Sequence, residues 1–276
     1  MQVKYKNLTL NIYVDETALT SNKIPVLFLH GFTGKGRDWK NIADKLGNEF
    51  LPVAIDLIGH GASDSPDEIE YYYEESQIEQ LNFIIEKLKF EKEILCGYSM
   101  GGRLALSFST KHPEKVIGLI LESTTPGITD EEERKHRVDN DIMLAKRIKE
   151  YGVESFIEYW MSLPLFNSLN RLSAEQEFLL LSEREENTIT GLSNSLIGFS
   201  TGKMKDHWDD AKQLTMPVLQ ITGSLDEKFT EINKKLYKLL PNSEHKIIPD
   251  TGHNTHLENP QDFFILVSSF LRTFRQ

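Results

Sequence analysis

The stretch Ile94-Leu95-Cys96-Gly97-Tyr98-Ser99-Met100-Gly101-Gly102-Arg103 constrains the fold more than any other part of the chain. An apolar run stops at Gly97, Ser99 follows two residues on, two glycines come next, and Arg103 to Phe108 takes up helical spacing. This reads as a buried strand, a sharp turn and a helix. Glycines at 97 and 101 let strand and helix approach, and the turn forces the serine into a strained backbone conformation, as a nucleophile elbow requires. The turn also sets Ser99 Oγ at a helix N-terminus, where unpaired N–H groups and the positive dipole end favour an anion.

Around this turn, strand and helix patterns alternate. Val3 to Tyr5 and Leu8 to Val14 alternate with a period of two and predict an antiparallel hairpin. Pro25 to Leu29, Phe50 to Ile55 and Val116 to Leu121 are apolar almost throughout, the mark of strands buried on both faces of a parallel sheet. Helical patterns cover Asp38 to Leu46 and Glu74 to Lys89. The fold class is therefore α/β with a mostly parallel, doubly wound sheet. The alternation stops at Pro126-Gly127, and up to about Gly202 only helical patterns occur: Asp130 to Lys149, Val153 to Trp160, Ala174 to Arg184 and Ile189 to Phe199. An insertion this long is not a structureless loop. We expect a core of residues 1–127 and 203–276 with a helical cap of residues 128–202 over one edge of the sheet. The sheet resumes at Met216 to Thr222 and His245 to Ile248, with a helix from Phe229 to Leu240 between them and one from Pro260 to Phe274 at the end.

The second half supplies an acid and a base. Asp226 lies just past the strand that ends at Thr222, and His253 lies in a loop before the last helix. Neutral imidazole, with an ordinary pKa of about 6.5, can take a proton from Ser99 while a carboxylate fixes its tautomer. His256 competes, but Gly252 gives His253 the bend that a reaching side chain needs. His30, Asp56 and His60 sit in glycine-punctuated loops and read as loop-structuring residues.

Composition limits the partners. The 31 basic and 42 acidic residues leave a net charge of −11, which argues against a general nucleic-acid or anionic-membrane surface. An anionic ligand must then be held by locally placed Arg or Lys. The single cysteine, Cys96, excludes an internal disulfide and fits a reducing compartment, so a cytoplasmic protein is expected. We find neither a secretory h-region nor an apolar run long enough to span a membrane. No metal or organic cofactor is expected: the histidines are scattered, and Gly31-Phe32-Thr33-Gly34 lacks dinucleotide-loop spacing.

Through His30-Gly31-Phe32, Gly97-x-Ser99-x-Gly101, Asp226 and Gly252-His253, the whole chain resembles the α/β-hydrolase superfamily. The resemblance implies a catalytic Ser99, Asp226 and His253, in the expected chain order, with an oxyanion hole from the N–H groups of Phe32 and Met100. More narrowly, Leu29 to Gly34, Gly97 to Arg103 and Trp160 to Phe166 resemble the 2-succinyl-6-hydroxy-2,4-cyclohexadiene-1-carboxylate synthases of menaquinone biosynthesis. Those enzymes eliminate pyruvate from a polyanionic cyclohexene. The resemblance implies carboxylate binding by Arg103, Arg137 and Arg184 and a pocket lined by Tyr98 and Trp160. Met161 stands where the family pattern carries a tyrosine.

Independently of the family, Arg103 lies one helical turn beyond Ser99, where an arginine costs desolvation unless it meets an anion. That anion is either the substrate or a cap carboxylate. Arg137 and Arg184 alone read as ordinary helix-surface residues. Three functions compete: the lyase, a serine hydrolase of esters or C–C bonds, and a non-catalytic ligand receptor. Intact candidates for all three triad positions speak against the receptor, and a polyanion-binding arginine favours the lyase.

Overall fold

Runs that are apolar at every position form the middle of one eight-stranded sheet. In the computed structural model, which describes residues 1–275, the strands are β1 (Gln2–Tyr5), β2 (Leu8–Tyr13), β3 (Ile24–Leu29), β4 (Phe50–Ile55), β5 (Glu93–Tyr98), β6 (Val116–Glu122), β7 (Val218–Gly223) and β8 (Ser243–Ile248). They lie in the order β1-β2-β4-β3-β5-β6-β7-β8. The expected hairpin β1–β2 and the pair β2–β4 are antiparallel, and the remaining pairs are parallel. Leu29 registers with Gly97, Gly97 with Leu121, and Glu122 with Ile221. The loops after β3, β5, β6 and β7 therefore share one edge of the sheet.

Alternate residues of the central strands feed two apolar layers. Leu27, Leu29 and Leu95 join one, with α2 (Glu74–Lys87) and α3 (Met100–Lys111) packed over them. Val26, Phe28, Ile94 and Cys96 join the other, under α9 (Pro260–Leu271). Burial on both faces is why these strands show no alternation. The helix expected from Asp38 to Leu46 is shorter, a 3₁₀ turn (Gly36–Trp39) leading into α1 (Lys40–Ala43). Asp38 folds back to accept the Lys35 N–H at 3.2 Å and Trp39 is fully buried, so packing overrides helical periodicity there.

Between β6 and β7 the chain forms α4 (Glu131–Met161), a 3₁₀ run (Pro164–Arg171), α5 (Ala174–Glu185) and α6 (Ile189–Gly198). Asp130 caps α4 by accepting the Glu133 N–H at 2.8 Å, and glutamates 131–133 face the positive end of the helix dipole. Gly152, at φ 82°, kinks α4 at the place where the sequence periodicity breaks. Ala145, Ile148, Phe156, Ile157, Leu192 and Leu196 make a separate apolar cluster that Phe32, from the sheet edge, packs against. Among the described residues no helix is long and apolar enough to cross a membrane.

The chain returns to β7 past a buried ionic cluster. His207 Nε2 lies 2.7 Å from Glu74 Oε1, His207 Nδ1 lies 2.9 Å from Asp210 Oδ2, and the Lys205 N–H donates to Glu74 at 2.7 Å. Burial opposes charge on His207, but the two carboxylates outweigh it and raise its pKa. Glu93, at the start of β5, is fully buried and neither of its oxygens has a partner. Burial pushes it up to about 8 against the pull of Lys115.

Both groups bind a proton more tightly in the folded than in the unfolded chain, so both withdraw stability as pH rises. For Glu93 the loss runs from the ordinary carboxylate range to about 8, and for His207 it begins above about 6.5. Melting temperature is therefore expected to fall between about pH 5 and pH 8. Glu93→Gln should raise it by several degrees at the alkaline end and leave the acid end unchanged. Parallel melting curves for the two proteins across that range would contradict this.

Candidate active site

Ser99 sits at φ 49° and ψ −103°, the strained turn expected between β5 and α3. Such a conformation costs on the order of 1–3 kcal/mol and persists only when its surroundings hold it. Its N–H donates to the Glu122 carbonyl at 2.9 Å and its carbonyl accepts the Arg103 N–H at 3.0 Å. Side chains at 97 or 101 would collide with the backbone of Gly101 or of Leu29, so the crossing needs both glycines.

The loops after β7 and β8 bring two more groups to this turn. His253 Nε2 lies 3.0 Å from Ser99 Oγ, and His253 Nδ1 lies 2.6 Å from Asp226 Oδ2. Both His253 and Asp226 are buried. The other Asp226 oxygen accepts the Phe229 N–H at 3.2 Å and caps α7 (Glu227–Tyr237), which fixes the carboxylate. Glu258 holds the histidine loop, accepting the Gly252 and Asn254 N–H groups at 2.8 and 3.3 Å. His256, the competing base, is engaged elsewhere: its Nδ1 lies 2.6 Å from Glu122 Oε2 and its ring stacks on Trp39 at 4.1 Å.

Ser99 and His253 open into a cavity of about 520 Å³, lined also by Phe32, Met100, Arg103, Arg137 and Trp160. The N–H of Met100 opens α3, and neither it nor the Phe32 N–H donates to another group among the described residues. Trp160 meets Phe32 edge-on at 5.2 Å. Arg103 is buried, donates to the Phe199 carbonyl at 2.7 Å and lies 4.4 Å from the Phe199 ring centroid. It forms no ion pair among the described residues. Burial, and then the charge of Arg137, lowers its pKa to about 9. Arg137 does have a partner: its Nε lies 2.8 and 3.0 Å from the two oxygens of Asp141, one helical turn on.

Two of the candidate pocket residues do not line this cavity. Tyr98 points the other way from Ser99, with its ring over Gly31 and 5.4 Å from that of His253. Arg184, near the end of α5, is buried behind the Phe32 loop, where its charge is felt at His30 and Tyr98 and its Nε has no partner. Met161 packs against the apolar cluster of the inserted helices. His30 and Asp56 structure their loops: His30 Nε2 accepts the Leu57 N–H at 3.0 Å, and Asp56 accepts the Gly36 and Ala62 N–H groups at 2.6 and 2.9 Å. Sequence reasoning missed Asp141 and Lys228 at the cavity. The i,i+4 spacing of Arg137 and Asp141 is a signal that could have found the first. No group of three or more His, Cys, Asp or Glu among the described residues is arranged to hold a metal ion.

Residues 24–260 match the alpha/beta hydrolase fold family. A Bacillus subtilis (strain 168) protein named putative 2-succinyl-6-hydroxy-2,4-cyclohexadiene-1-carboxylate synthase is 42% identical over 246 residues, 89% of each chain. The chain belongs to the α/β-hydrolase family, in the group that holds these synthases. The synthase of Enterobacter sp. (strain 638) is 30% identical over 90% of this chain and 91% of its own. The solved structure of MenH from S. aureus superposes with a TM-score of 0.89 at 32% identity, over 96% of this chain and 98% of that one. A malate-bound thermophilic esterase from Thermogutta terrifontis shares the fold, with a TM-score of 0.85 at 24% identity, covering 99% and 98% of the two chains.

A buried cation with no anion beside it is a burden on the free α/β-hydrolase fold. Arg103→Met keeps most of the bulk and removes the charge, so the melting temperature should stay level or rise by a few degrees. A clear fall would mean that the bonds Arg103 makes in the free protein, to Phe199 or to a carboxylate, outweigh the cost of burying its charge.

Proposed function

We propose that the protein is the lyase that eliminates pyruvate from 2-succinyl-5-enolpyruvyl-6-hydroxy-3-cyclohexene-1-carboxylate to give 2-succinyl-6-hydroxy-2,4-cyclohexadiene-1-carboxylate. The relatives named for this reaction support the assignment. The observation that carries it is Arg103, a buried guanidinium that faces the cavity beside Ser99 without a carboxylate partner. A polyanionic substrate supplies the missing anion, and a neutral ester does not.

In this reading Ser99, His253 and Asp226 act as one base. His253 Nε2 takes the serine proton, Asp226 holds the ring through Nδ1 and stabilises the imidazolium, and Ser99 Oγ removes the proton α to the succinyl ketone. The electron pair moves onto the ketone oxygen as an enolate, held by the N–H groups of Phe32 and Met100. One such donor is typically worth about 2.7–4 kcal/mol. Collapse of the enolate forms a double bond between ring carbons 2 and 3, moves the existing one from carbons 3 and 4 to carbons 4 and 5, breaks the C–O bond from carbon 5 to the enolpyruvyl group, and releases pyruvate once that group regains a proton. Arg103 and Arg137 bind substrate carboxylates, with Trp160 as an apolar wall. Arg184 and Tyr98 are assigned to the shell behind the Phe32 loop, where they join the site only if that loop or the helices above it move. The helices of residues 128–202 serve as the cap that excludes water.

The test is pyruvate release from this substrate, coupled to NADH oxidation, beside hydrolysis of a chromogenic ester. Ser99→Ala, Asp226→Asn and His253→Ala should each lose most of the lyase activity while staying folded. Ser99→Ala combined with His253→Ala should cost little more than either alone. Multiplicative losses would count against a triad. Arg103→Ala should lower kcat/KM for the polyanionic substrate roughly ten- to a hundredfold and spare the ester, because a charge-assisted hydrogen bond is worth about 1.5–3 kcal/mol. Lysine should recover only part, since an ammonium lacks the two parallel N–H donors of a guanidinium. An unchanged ratio of the two activities would remove Arg103 from substrate binding.

A further inference from the structure

Glu122, the last residue of β6, is fully buried, and nothing in the proposed chemistry uses it. A carboxylate there is costly unless its oxygens are well paired, and both are. Oε1 accepts the Thr255 hydroxyl at 2.7 Å and the His256 N–H at 2.9 Å, and Oε2 lies 2.6 Å from His256 Nδ1. All three donors belong to the two residues that begin the short helix α8 (Thr255–Glu258), two and three positions after His253. The carbonyl of the same Glu122 accepts the Ser99 N–H at 2.9 Å.

We infer that Glu122 is a positioning residue: its side chain holds the His253 loop, its main chain holds the Ser99 turn, and it thereby sets the gap across which the proton passes. The inference rests on the reading of Ser99 and His253 given above. The other carboxylate on the histidine loop, Glu258, accepts from that loop's own backbone at Gly252 and Asn254. Glu122 differs in reaching both loops. The His256 ring that it grips is itself fixed, stacked on Trp39 at 4.1 Å and met edge-on at 5.2 Å by Tyr98, the residue before Ser99. Displacements of about 1 Å between reacting groups can cost on the order of a hundredfold in rate. A bond network that spans the two loops without entering the cavity is suited to prevent them.

The test separates positioning from fold maintenance and from the lyase assignment. A fluorophosphonate is attacked by Ser99 Oγ as His253 takes the hydroxyl proton; the O–P bond forms, the P–F bond breaks, and fluoride leaves. Its labelling rate, followed by intact mass, reports the Ser99–His253 pair without the lyase substrate. Glu122→Gln keeps the volume and Oε1 but loses the carboxylate on His256. Glu122→Asp keeps the charge but loses the reach. Both should label about ten- to a hundredfold more slowly per folded molecule, with the same loss in kcat and KM within about twofold. A purely structural role would lower the melting temperature and leave the labelling rate of the folded protein at the wild-type value. A charge effect on His253 would spare Glu122→Asp. Either result overturns the inference, as does a wild-type Ser99 that resists labelling. If neither variant folds, Thr255→Val, which removes one of the three donors at constant volume, should slow labelling at least about threefold. A smaller effect would overturn the inference equally.

Discussion

The close crossing of β5 over the start of α3 is the constraint on which the site depends. It exists because glycines at 97 and 101 leave no Cβ between strand and helix, and because the Glu122 carbonyl ties down the Ser99 N–H. The crossing creates two features at once. Ser99 is lifted out of the strand into a left-handed conformation that points Oγ at the cavity, and Met100 becomes the first residue of a helix, whose N–H has no intrahelical acceptor. In the proposed reading, the reacting serine and one oxyanion donor are thus a single geometric consequence of one turn. The remaining groups need only be brought to it, and strands that end level along one edge of the sheet do this through their loops.

In the proposed function, electrostatics adds selectivity to that geometry. The chain carries a net charge of −11, so a polyanion is not drawn in by the surface as a whole. The cavity lining is evenly divided, with Arg103, Arg137 and Lys228 set against Asp141, Asp226 and Glu227. Asp141 bonds Arg137, whereas Arg103 has no carboxylate bonded to it among the described residues: burial and the neighbouring arginine depress its pKa to about 9, against the weaker pull of Asp141 and Glu74 from a distance. It stays protonated near neutrality at the expense of the free protein. An anionic substrate relieves that penalty on binding, and a neutral one leaves it in place. Discrimination of this kind arises from the unpaired group more than from any contact with the favoured ligand.

Much of this was legible in the sequence because it rests on local rules. Uniformly apolar strands, a glycine-bounded serine and the order Ser99, Asp226, His253 each follow from spacing, and the structure brings those three residues within hydrogen-bonding distance. What was not legible depends on packing between distant segments. Asp38 to Leu46 has helical periodicity, yet burial of Trp39 shortens the helix. Tyr98 belongs to the turn motif, but it is adjacent to Ser99 and so points to the opposite side of the chain, over Gly31. Whether Arg103 meets a carboxylate depends on how the inserted helices sit. In the fold they present the Phe199 carbonyl and ring to it, while their nearby acid, Asp141, goes to Arg137.

The two histidines near the C-terminus show how far environment, rather than residue type, decides a role. His253 and His256 each have a buried carboxylate 2.6 Å from Nδ1, so the same orienting bond is present twice within four residues. What separates them is the other face of the ring. His253 precedes α8, on a loop free to reach forward, and its Nε2 lies on the cavity opposite Ser99. His256 lies within that helical turn, which folds it back against Trp39 and Phe263 and away from the cavity. A base must present its second nitrogen to the reacting group. His256 does not line the cavity, so its ring serves only to bind, and what it binds is the residue at the end of β6. Function is therefore to be read from the site each side chain occupies, and in the proposed reading a spacing of three residues, from a loop into the short helix that follows it, is enough to divide proton transfer from support.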